Sequence, residues 1–159
     1  MIGDDNRAVS IAITHALTLA ITAVLISGLL IGAGQLLDDQ EDRAAEEQFS
    51  EIGGDVLSHV NSLDRLNATG EQVNATVEPS YPSRVVGESY RINITDDDSS
   101  YPFDTPYALV ITSDLLEQPK QYPLNTTGPT DLDETARVQG GDVLICLQNG
   151  EISMGANCT

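Results

Sequence analysis

The feature that most constrains this chain is an apolar run, residues 8–37, that contains no Asp, Glu, Lys or Arg. Thirty helical residues at about 1.5 Å each would reach about 45 Å, whereas the hydrocarbon core of a bilayer is about 30 Å thick. The run therefore predicts one membrane-spanning helix near the N-terminus, with residues 9–37 as its hydrophobic segment. Its excess length indicates that part of the helix contacts protein instead of lipid.

A cleaved secretory signal is the alternative interpretation of this run. The small residues at 32–34 would suit signal peptidase, which would leave Gln35 as the first residue of the mature chain. Against this, the leader carries Asp4 and Asp5 beside its one base, Arg7, and the run is about twice the usual 7–15 residues of a signal core. These flanks and this length favour a retained helix.

The orientation of the helix is predicted from glycosylation motifs. Five of the eight asparagines in the chain stand in N-x-[ST] triplets, which accept N-linked glycans on the outer side of a membrane: Asn67, Asn74, Asn93, Asn125 and Asn157. All five follow the apolar run. We therefore expect a single-pass protein of the cell membrane, with its N-terminus in the cytoplasm and its C-terminal domain outside the cell.

The charge balance narrows the environment and the partners. Lys and Arg number 7 against 25 Asp and Glu, which gives a formal net charge of -18. In molar salt the Debye length falls to about 3 Å, so such self-repulsion would be screened, and the composition indicates a haloarchaeal protein. A chain without a basic patch is a poor ligand for nucleic acid or anionic lipid headgroups. The acidic residues are spread through apolar segments, which argues against a disordered acidic tail.

After the apolar run the pattern becomes that of an amphipathic helix, predicted as a stalk over residues 38–70. One narrow apolar stripe recurs at three- and four-residue spacing: Phe49, Ile52, Val56, Val60, Leu63 and Leu66. The pair Gly53-Gly54 predicts a bend, because glycine disfavours helix interiors by about 1 kcal/mol relative to alanine. Asn67 and Gly70 predict the end of the helix.

Residues 71–159 are predicted to form a small extracellular β-rich head domain. Short β-type runs alternate with turn residues, and the predicted strands are 73–77, 85–95, 107–113, 121–124, 143–148 and 151–154. Asn149-Gly150 between the last two predicts a type I′ hairpin turn. The expected fold class is therefore α+β: a long N-terminal transmembrane and stalk helix followed by a small antiparallel β-sheet head.

Cys146 and Cys158 are the only two cysteines. A disulfide between them suits the oxidising side of a membrane and would stabilise the terminal hairpin by about 3 kcal/mol in the chain-entropy model. Two free thiols, or a bridge to a partner chain, are the alternatives. A structural zinc site is not expected, because such a site needs four ligands and neither His15 nor His59 is near the cysteines in sequence.

The layout resembles the type IV pilin-like proteins of haloarchaea, and the resemblance is most specific at Asn6-Arg7-Ala8-Val9-Ser10. It implies that residues 1–8 are a leader, which a prepilin peptidase removes on the cytoplasmic side by cutting between Ala8 and Val9. It also implies other pilin-like subunits and the membrane assembly machinery as partners. Ile13 stands where bacterial pilins carry a glutamate, and the Ser-Pro-Val-Ile-Gly run of major haloarchaeal pilins is absent. A minor or accessory subunit is therefore implied.

Small and hydroxyl residues in the apolar run are candidates for helix packing. The small-residue patch consists of Ser27, Gly28, Gly32 and Gly34 and includes one GxxxG spacing, which permits close helix contact in lipid. Thr14, Thr18 and Thr22 recur every four residues, and their hydroxyls could bond either to partner helices or to their own backbone. His15, the one ionisable group of the run, is expected to lie near the membrane interface, facing a partner helix or the headgroups.

No motif of catalysis or cofactor binding is present. We find no Gly-x-Ser-x-Gly, no His-Glu-x-x-His and no phosphate loop, so neither an enzyme nor a cofactor is expected. Two acidic groups carry oxygen ligands that calcium could use: Asp96, Asp97, Asp98 and Asp104, and Asp131, Asp133 and Glu134. Neither follows the spaced calcium loop, and solvated loops are the preferred interpretation of both.

Two function classes therefore fit the sequence. One is a non-enzymatic pilin-like subunit that assembles through its hydrophobic helix into a surface filament or secretion pseudopilus. The other is a single-span anchored extracellular domain that binds a ligand or partner without assembling. An N-terminus that begins at Val9 would separate them.

Overall fold

The structure is a computed structural model that describes residues 5–69, 73–96, 105–126 and 130–158. One helix, α1 (Asp5–Asn67), precedes a series of short strands. The chain divides into two compact units, Met1–Glu41 and Asp42–Thr159. Helix α1 contributes residues to both units, and the strands all belong to the second. This confirms the predicted α+β fold class.

The first unit contains the apolar part of α1. Its side chains are apolar on every side of the helix, and the exposed fractions of the large ones run from 52% at Ile26 to 73% at Leu29. The exposed large apolar residues here are Ile13, Leu17, Leu19, Ile21, Val24, Leu25, Ile26, Leu29, Leu30, Ile31, Leu36 and Leu37. A helix that is apolar all round belongs either in a protein core or in lipid.

The second unit contains two sheets. The described part of the chain has nine strands: β1 Ala75–Val77, β2 Arg84–Val85, β3 Glu88–Thr95, β4 Tyr107–Ser113, β5 Lys120–Leu124, β6 Asp131–Leu132, β7 Arg137–Gln139, β8 Ile145–Gln148 and β9 Glu151–Met154. One sheet has the order β1-β8-β9-β6, with β6 parallel to β9. The other has the order β2-β3-β4-β5, and β7 also pairs with β3. A short 3₁₀ helix, Gly155–Asn157, follows β9.

The apolar stripe predicted on α1 supplies one side of the core of the second unit. Phe49 and Val56 are fully buried, and the ring of Phe49 meets that of Tyr90 on β3 edge to face, with centroids 5.4 Å apart. Ile52, Val60 and Leu63 are at most 4% exposed. Leu66, predicted as the last member of the stripe, is instead 44% exposed. It lies in the final turn of the helix, past the last contact with the core.

The predicted division between a stalk at 38–70 and a head at 71–159 differs from the division in the structure. The compact unit that contains the sheets begins at Asp42, so most of the predicted stalk is part of the head. The physical reason is the stripe itself, because a thin sheet domain without Trp needs the apolar side chains of the helix to complete its core.

The helix runs through Gly53 and Gly54 without a break, where the sequence predicted a bend. Gly53 is explained by packing: a Cβ atom there would overlap the ring of Tyr122 on β5. The Tyr122 hydroxyl donates a hydrogen bond of 2.9 Å to the carbonyl oxygen of Phe49. Glycine at position 53 therefore permits a close approach of sheet to helix, whereas a Cβ at Gly54 would meet nothing within 4 Å.

The predicted strands match the structure except at one turn. The strands predicted at 107–113 and 151–154 have those bounds, and those predicted at 73–77, 121–124 and 143–148 overlap β1, β5 and β8. The single strand predicted at 85–95 is wrong, because Val86-Gly87 turns the chain between β2 and β3. Val86 has a φ of 47°, a conformation that a β-branched residue rarely adopts, so its identity concealed the turn.

The hairpin predicted at Asn149-Gly150 is confirmed. Asn149 and Gly150 have φ values of 53° and 86°, the two positive angles that a type I′ turn requires, and β8 pairs with β9 in antiparallel register on either side. The sequence did not predict β6 or β7, which have two and three residues. Strands this short carry no periodicity, and their pairing is set by the strands beside them.

Candidate assembly segment and modification sites

The predicted processing junction lies at the start of α1. The structure begins the helix at Asp5, so Arg7, Ala8 and Val9 have helical backbone. The side chains of residues 5–11 lie outside the described part of the structure. The junction therefore lies in the first turns of α1, and cleavage between Ala8 and Val9 stays a prediction.

The predicted small-residue patch is open on its own chain. Cβ atoms built at Gly28, Gly32 and Gly34 would meet nothing within 4 Å. The Ser27 hydroxyl donates a hydrogen bond of 2.8 Å to the carbonyl oxygen of Ala23, one turn earlier. No described contact within this chain requires glycine at these three positions, in contrast to Gly53.

The threonine series bonds to its own backbone. The Thr18 hydroxyl donates to the carbonyl oxygen of Thr14, and the Thr22 hydroxyl donates to that of Thr18, each at 2.8 Å. This is the second of the two arrangements that the sequence left open. Such bonds remove the desolvation cost of a hydroxyl in lipid without needing a partner helix. His15 is exposed on the same stretch of helix.

One helix among the described residues is long and apolar enough to cross a membrane. It is the part of α1 from Ala12 to Asn67, and its most apolar stretch is entirely unburied. The first buried apolar side chain among the described residues of α1 is that of Ala45. The protein is therefore consistent with single-pass anchoring near its N-terminus.

The predicted disulfide is confirmed. Cys146 on β8 is bonded to Cys158, which follows the 3₁₀ helix, and their Cα atoms are 5.6 Å apart. The bridge closes a loop that contains the Asn149-Gly150 turn and all of β9. Because it restricts the unfolded chain, a bridge across a loop of this length is worth about 3 kcal/mol. The alternatives of free thiols or a bridge to a partner do not hold in this structure.

The five predicted glycosylation sites lie in unlike surroundings. Asn74 and Asn125 are exposed beside strand ends, whereas Asn93 is half-buried in the middle of β3. Asn67 ends α1, and its Nδ2, the atom that a glycan would modify, donates a hydrogen bond of 2.9 Å to Thr130. Asn157 lies in the 3₁₀ helix, and its side chain is outside the described set. Asn74 and Asn125 are therefore the most accessible of the four with described side chains.

Tyr90 and Tyr122, for which the sequence predicted no role, connect the elements of the head. The Tyr90 hydroxyl donates to the carbonyl oxygen of Pro82 at 2.8 Å, and a Cβ at Gly140 would overlap the Tyr90 ring. Tyr122 makes the equivalent close approach to Gly53. Burial raises the pKa of Tyr90 and of Tyr122 above the usual value. The sequence signal was available as two glycine pairs, at 53–54 in a helix and at 140–141 in a loop, but it does not name the aromatic partner.

Tyr81 joins the loop after β1 to the exposed side of α1. Its hydroxyl donates a hydrogen bond of 2.7 Å to Asp55, and the Nε2 of His59 lies 3.4 Å from the same carboxylate oxygen. Burial, followed by the hydrogen bond to Asp55 and its charge, raises the pKa of Tyr81. The hydrogen bond from Tyr81 to Asp55 thus holds the loop against the helix, and His59 lies beside the same carboxylate on the helix itself.

The second predicted acidic group is partly used by the fold. The Asp133 carboxylate accepts hydrogen bonds from the backbone and the hydroxyl of Thr135 and from the hydroxyl of Ser153, at 2.6–2.9 Å. It therefore organises the turn after β6. Asp97, Asp98 and Asp104 lie outside the described residues. In the described ranges no group of three or more His, Cys, Asp or Glu is placed to hold a metal ion.

Comparison with known proteins gives one result. Searches of curated proteins and of solved structures find no match to this chain. Residues 4–153 match the model of one protein family, described as a family of unknown function (DUF7266). The match covers the apolar run, the core stripe of α1 and the described strands except the last residue of β9. The chain therefore belongs to the DUF7266 family.

Proposed function

We propose that this protein is a non-enzymatic, type IV pilin-like subunit. Its apolar helix resides in the membrane after synthesis and then packs with the equivalent helices of other subunits in a surface filament or a secretion pseudopilus. The head is extracellular. The observation that carries the proposal is the contrast along α1: residues 12–37 expose apolar side chains in every direction, and residues 45–63 bury theirs in the head.

Three further features support assembly over simple anchoring. The apolar run is about half again as long as a bilayer core requires. Gly28 and Gly32 stand at GxxxG spacing with open space around them, so a second helix could approach their backbone closely. The hydroxyls of Thr18, Thr22 and Ser27 bond within the helix, so van der Waals packing is the main attraction that these positions offer a partner helix.

The extracellular location has its own support. A disulfide persists in oxidising compartments, and Cys146–Cys158 closes the last hairpin of the head. Exposed Asn74 and Asn125 head two of the five sequons. Both features suit a domain outside the cell and a helix whose N-terminus faces the cytoplasm.

The proposed environment is molar salt. Among the described residues one lysine, Lys120 with Glu46, and one histidine, His59 with Asp55, lie within 4.0 Å of a carboxylate, so few of the described carboxylates have a basic side chain beside them. Repulsion between such charges is screened when the Debye length falls to about 3 Å at 1 M salt. We expect the circular dichroism of the head to weaken when molar sodium chloride is dialysed away. A spectrum that stays constant would remove this part of the proposal.

The native N-terminus tests the function. Mass spectrometry of the protein purified from its own cells should find Val9 as the first residue, and deletion of the host's prepilin peptidase should restore the preceding leader. The chain should also be recovered with purified surface filaments or with a secretion complex. An unprocessed Met1, or a mature chain that begins at Gln35, would contradict the pilin-like function. A chain that begins at Val9 but is recovered with neither filaments nor a secretion complex would favour the anchored binding domain.

A further inference from the structure

Three of the four basic residues after residue 72 lie on one face of one sheet. After residue 72 the chain has four bases, Arg84, Arg91, Lys120 and Arg137, against thirteen acids. Lys120 pairs with Glu46 of α1, on the core side. The three arginines lie on the opposite side of the sheet that contains β2, β3 and β7. Such a distribution is unexpected for a surface that is otherwise strongly acidic.

The strand register places the three arginines on the same face. Tyr90, Ile92 and Ile94 of β3 are buried, so the alternate residues of β3 point away from the core. Arg91 is one of these alternate residues. Arg137 lies directly opposite Asn93, and Arg84 lies directly opposite Ser89. Directly opposite residues of paired strands share a face, so all three guanidinium groups stand on the outer face.

This face lacks acidic residues at its strand positions. The other outward positions of β3, β4, β5 and β7 hold only Ser, Asn, Thr, Ala, Val, Gln or Pro. Ala108 and Val110 among them are buried, so the accessible part is polar and basic. We call it the arginine face, comprising Arg84, Ser89, Arg91, Thr112, Arg137 and Gln139. A depression of about 320 Å³ opens between β3, β4 and β7, and Asp114 at its rim is the one acid that lines it.

The arginines of this face are exposed, and the described part of the chain provides no ionic partner for them. Arg84, Arg91 and Arg137 are all exposed, and no carboxylate lies within 4.0 Å of them among the described residues. Arg84 donates one hydrogen bond of 3.2 Å to the carbonyl oxygen of Gly87. Guanidinium groups bind carboxylates through two parallel hydrogen bonds in one plane. High salt weakens such a direct contact less than it weakens attraction between separated charges.

A complementary surface is present on α1 of the same chain. Residues 38–51 carry seven acids and one base. At 100° per residue, Glu47 and Glu51 each lie about 160° around the helix from Phe49, which is fully buried in the head. Both glutamates are exposed and lie one turn apart, about 6 Å along the axis. Glu47 therefore points away from its own head, whereas Glu51 is exposed at the edge of a depression that it lines with Tyr81 and Pro82.

We infer that the arginine face binds the acidic outer face of α1, at Glu47 and Glu51, of a second copy of this chain. Arg91 and Arg137 are diagonal neighbours across paired strands, which separates their backbones by about 7–8 Å. Two flexible arginines at that separation can reach two carboxylates about 6 Å apart. The inference rests on the proposed function, because assembly through the apolar helix is what would bring the copies side by side.

Photo-cross-linking in native membranes tests the contact. We would place a benzophenone amino acid at Thr112, which lies opposite Arg91 on the arginine face, in the full-length protein. Mixed isotope labelling separates links within one chain from links between two copies. The expected product joins Thr112 to a peptide of residues 44–51 of a second copy. A link to another protein, a link only within one chain, or no link would overturn the inference.

Charge reversal supplies the matched control. The double substitution Arg91→Glu with Arg137→Glu should lower the intermolecular link by about tenfold or more, because like charges then face each other. Adding Glu47→Arg and Glu51→Arg should restore most of it. Arg65→Glu, an exposed base of α1 away from this face, should leave the yield unchanged. An equal loss of cross-link yield in the Arg65→Glu control, or no recovery of the yield by the exchanged charges, would contradict the contact. An unchanged thermal unfolding transition would show that the variants fold.

Two readouts separate failure of this contact from failure of the proposed function. Filaments that form normally from the Arg91→Glu and Arg137→Glu variant would reject the contact and leave the pilin-like function intact. An unprocessed N-terminus with an intact cross-link would reject the function and leave the contact as one between anchored copies. Asn93 lies on the same side of β3, so a glycan on Asn93 in cross-linked chains would also overturn the inference.

Discussion

Residues 12–37 and residues 42–67 belong to one helix, yet their apolar side chains have opposite surroundings. In the first segment they cover every side of the helix and are exposed, whereas in the second they form one stripe that is buried against two sheets. The distribution of apolar residues around the helix explains the difference, because an all-round apolar surface suits lipid or other helices and a stripe suits one protein face. A single helix therefore carries two different kinds of apolar surface.

Removing an apolar side chain should have the largest effect, because it should destabilise the head in residues 42–67 and not in residues 12–37. Phe49→Ala should destabilise the head by about 3–5 kcal/mol, because it empties the space between α1 and Tyr90. Leu25→Ala should leave the head unchanged, since Leu25 is 63% exposed. Denaturant unfolding of the full-length protein in detergent, followed by near-ultraviolet circular dichroism, measures both. Equal losses in the two variants would mean that the segments share one core.

Glycines sharpen the same comparison at a smaller scale. Gly53→Ala should destabilise the head by about 1–3 kcal/mol, because its Cβ would overlap the Tyr122 ring. Gly54→Ala, the adjacent control, should be neutral or stabilise by up to about 1 kcal/mol through helix propensity. Gly28→Ala should leave the unfolding of the head unchanged and act only on assembly. Thermal melts of the three variants provide the comparison, and a destabilised Gly54→Ala would refute the role given to Tyr122.

The smallest expected effect is that of tyrosine ionisation, which appears only in alkaline solution. Burial raises the pKa of Tyr90 and Tyr122 above about 10, so the folded head favours their neutral form. The stability that this preference contributes is present below pH 10 and is lost as pH rises through the raised values. Residues 12–37 contain no tyrosine, so their helical signal should persist while the head unfolds.

An alkaline titration of the full-length protein checks this ordering. Tyrosinate absorbance should rise together with the loss of the near-ultraviolet signal of the head, and Tyr122→Phe should shift that loss to higher pH. Ionisation of every tyrosine near its ordinary pKa, with the head still folded, would contradict the buried positions of Tyr90 and Tyr122.

The sequence predicted what depends on local pattern. The apolar run, five members of the core stripe, the strands at 107–113 and 151–154 and the disulfide each follow from spacing or composition. The I′ turn at Asn149-Gly150 was predictable because asparagine and glycine tolerate positive φ. The turn at Val86-Gly87 was not, because valine ordinarily avoids that conformation.

The sequence did not predict what depends on contacts between distant residues. A helical stripe indicates that one face will be buried but not which surface will cover it, so residues 38–70 were predicted as a stalk separate from the head. The approach of Tyr122 to Gly53, 69 positions away in the chain, and the gathering of three arginines on one sheet face follow from strand register, which emerges only in the folded domain.

The central claim, that one helix lies partly in the membrane and partly in an extracellular head, is tested most directly by cysteine labelling. Ala23→Cys and Glu47→Cys, each in an otherwise native chain, would be exposed to a membrane-impermeant maleimide on intact cells. The native cysteines are bonded to each other and do not compete. We expect rapid labelling at position 47 and none at position 23 until the membrane is dissolved. Equal labelling of both positions on intact cells would contradict the account.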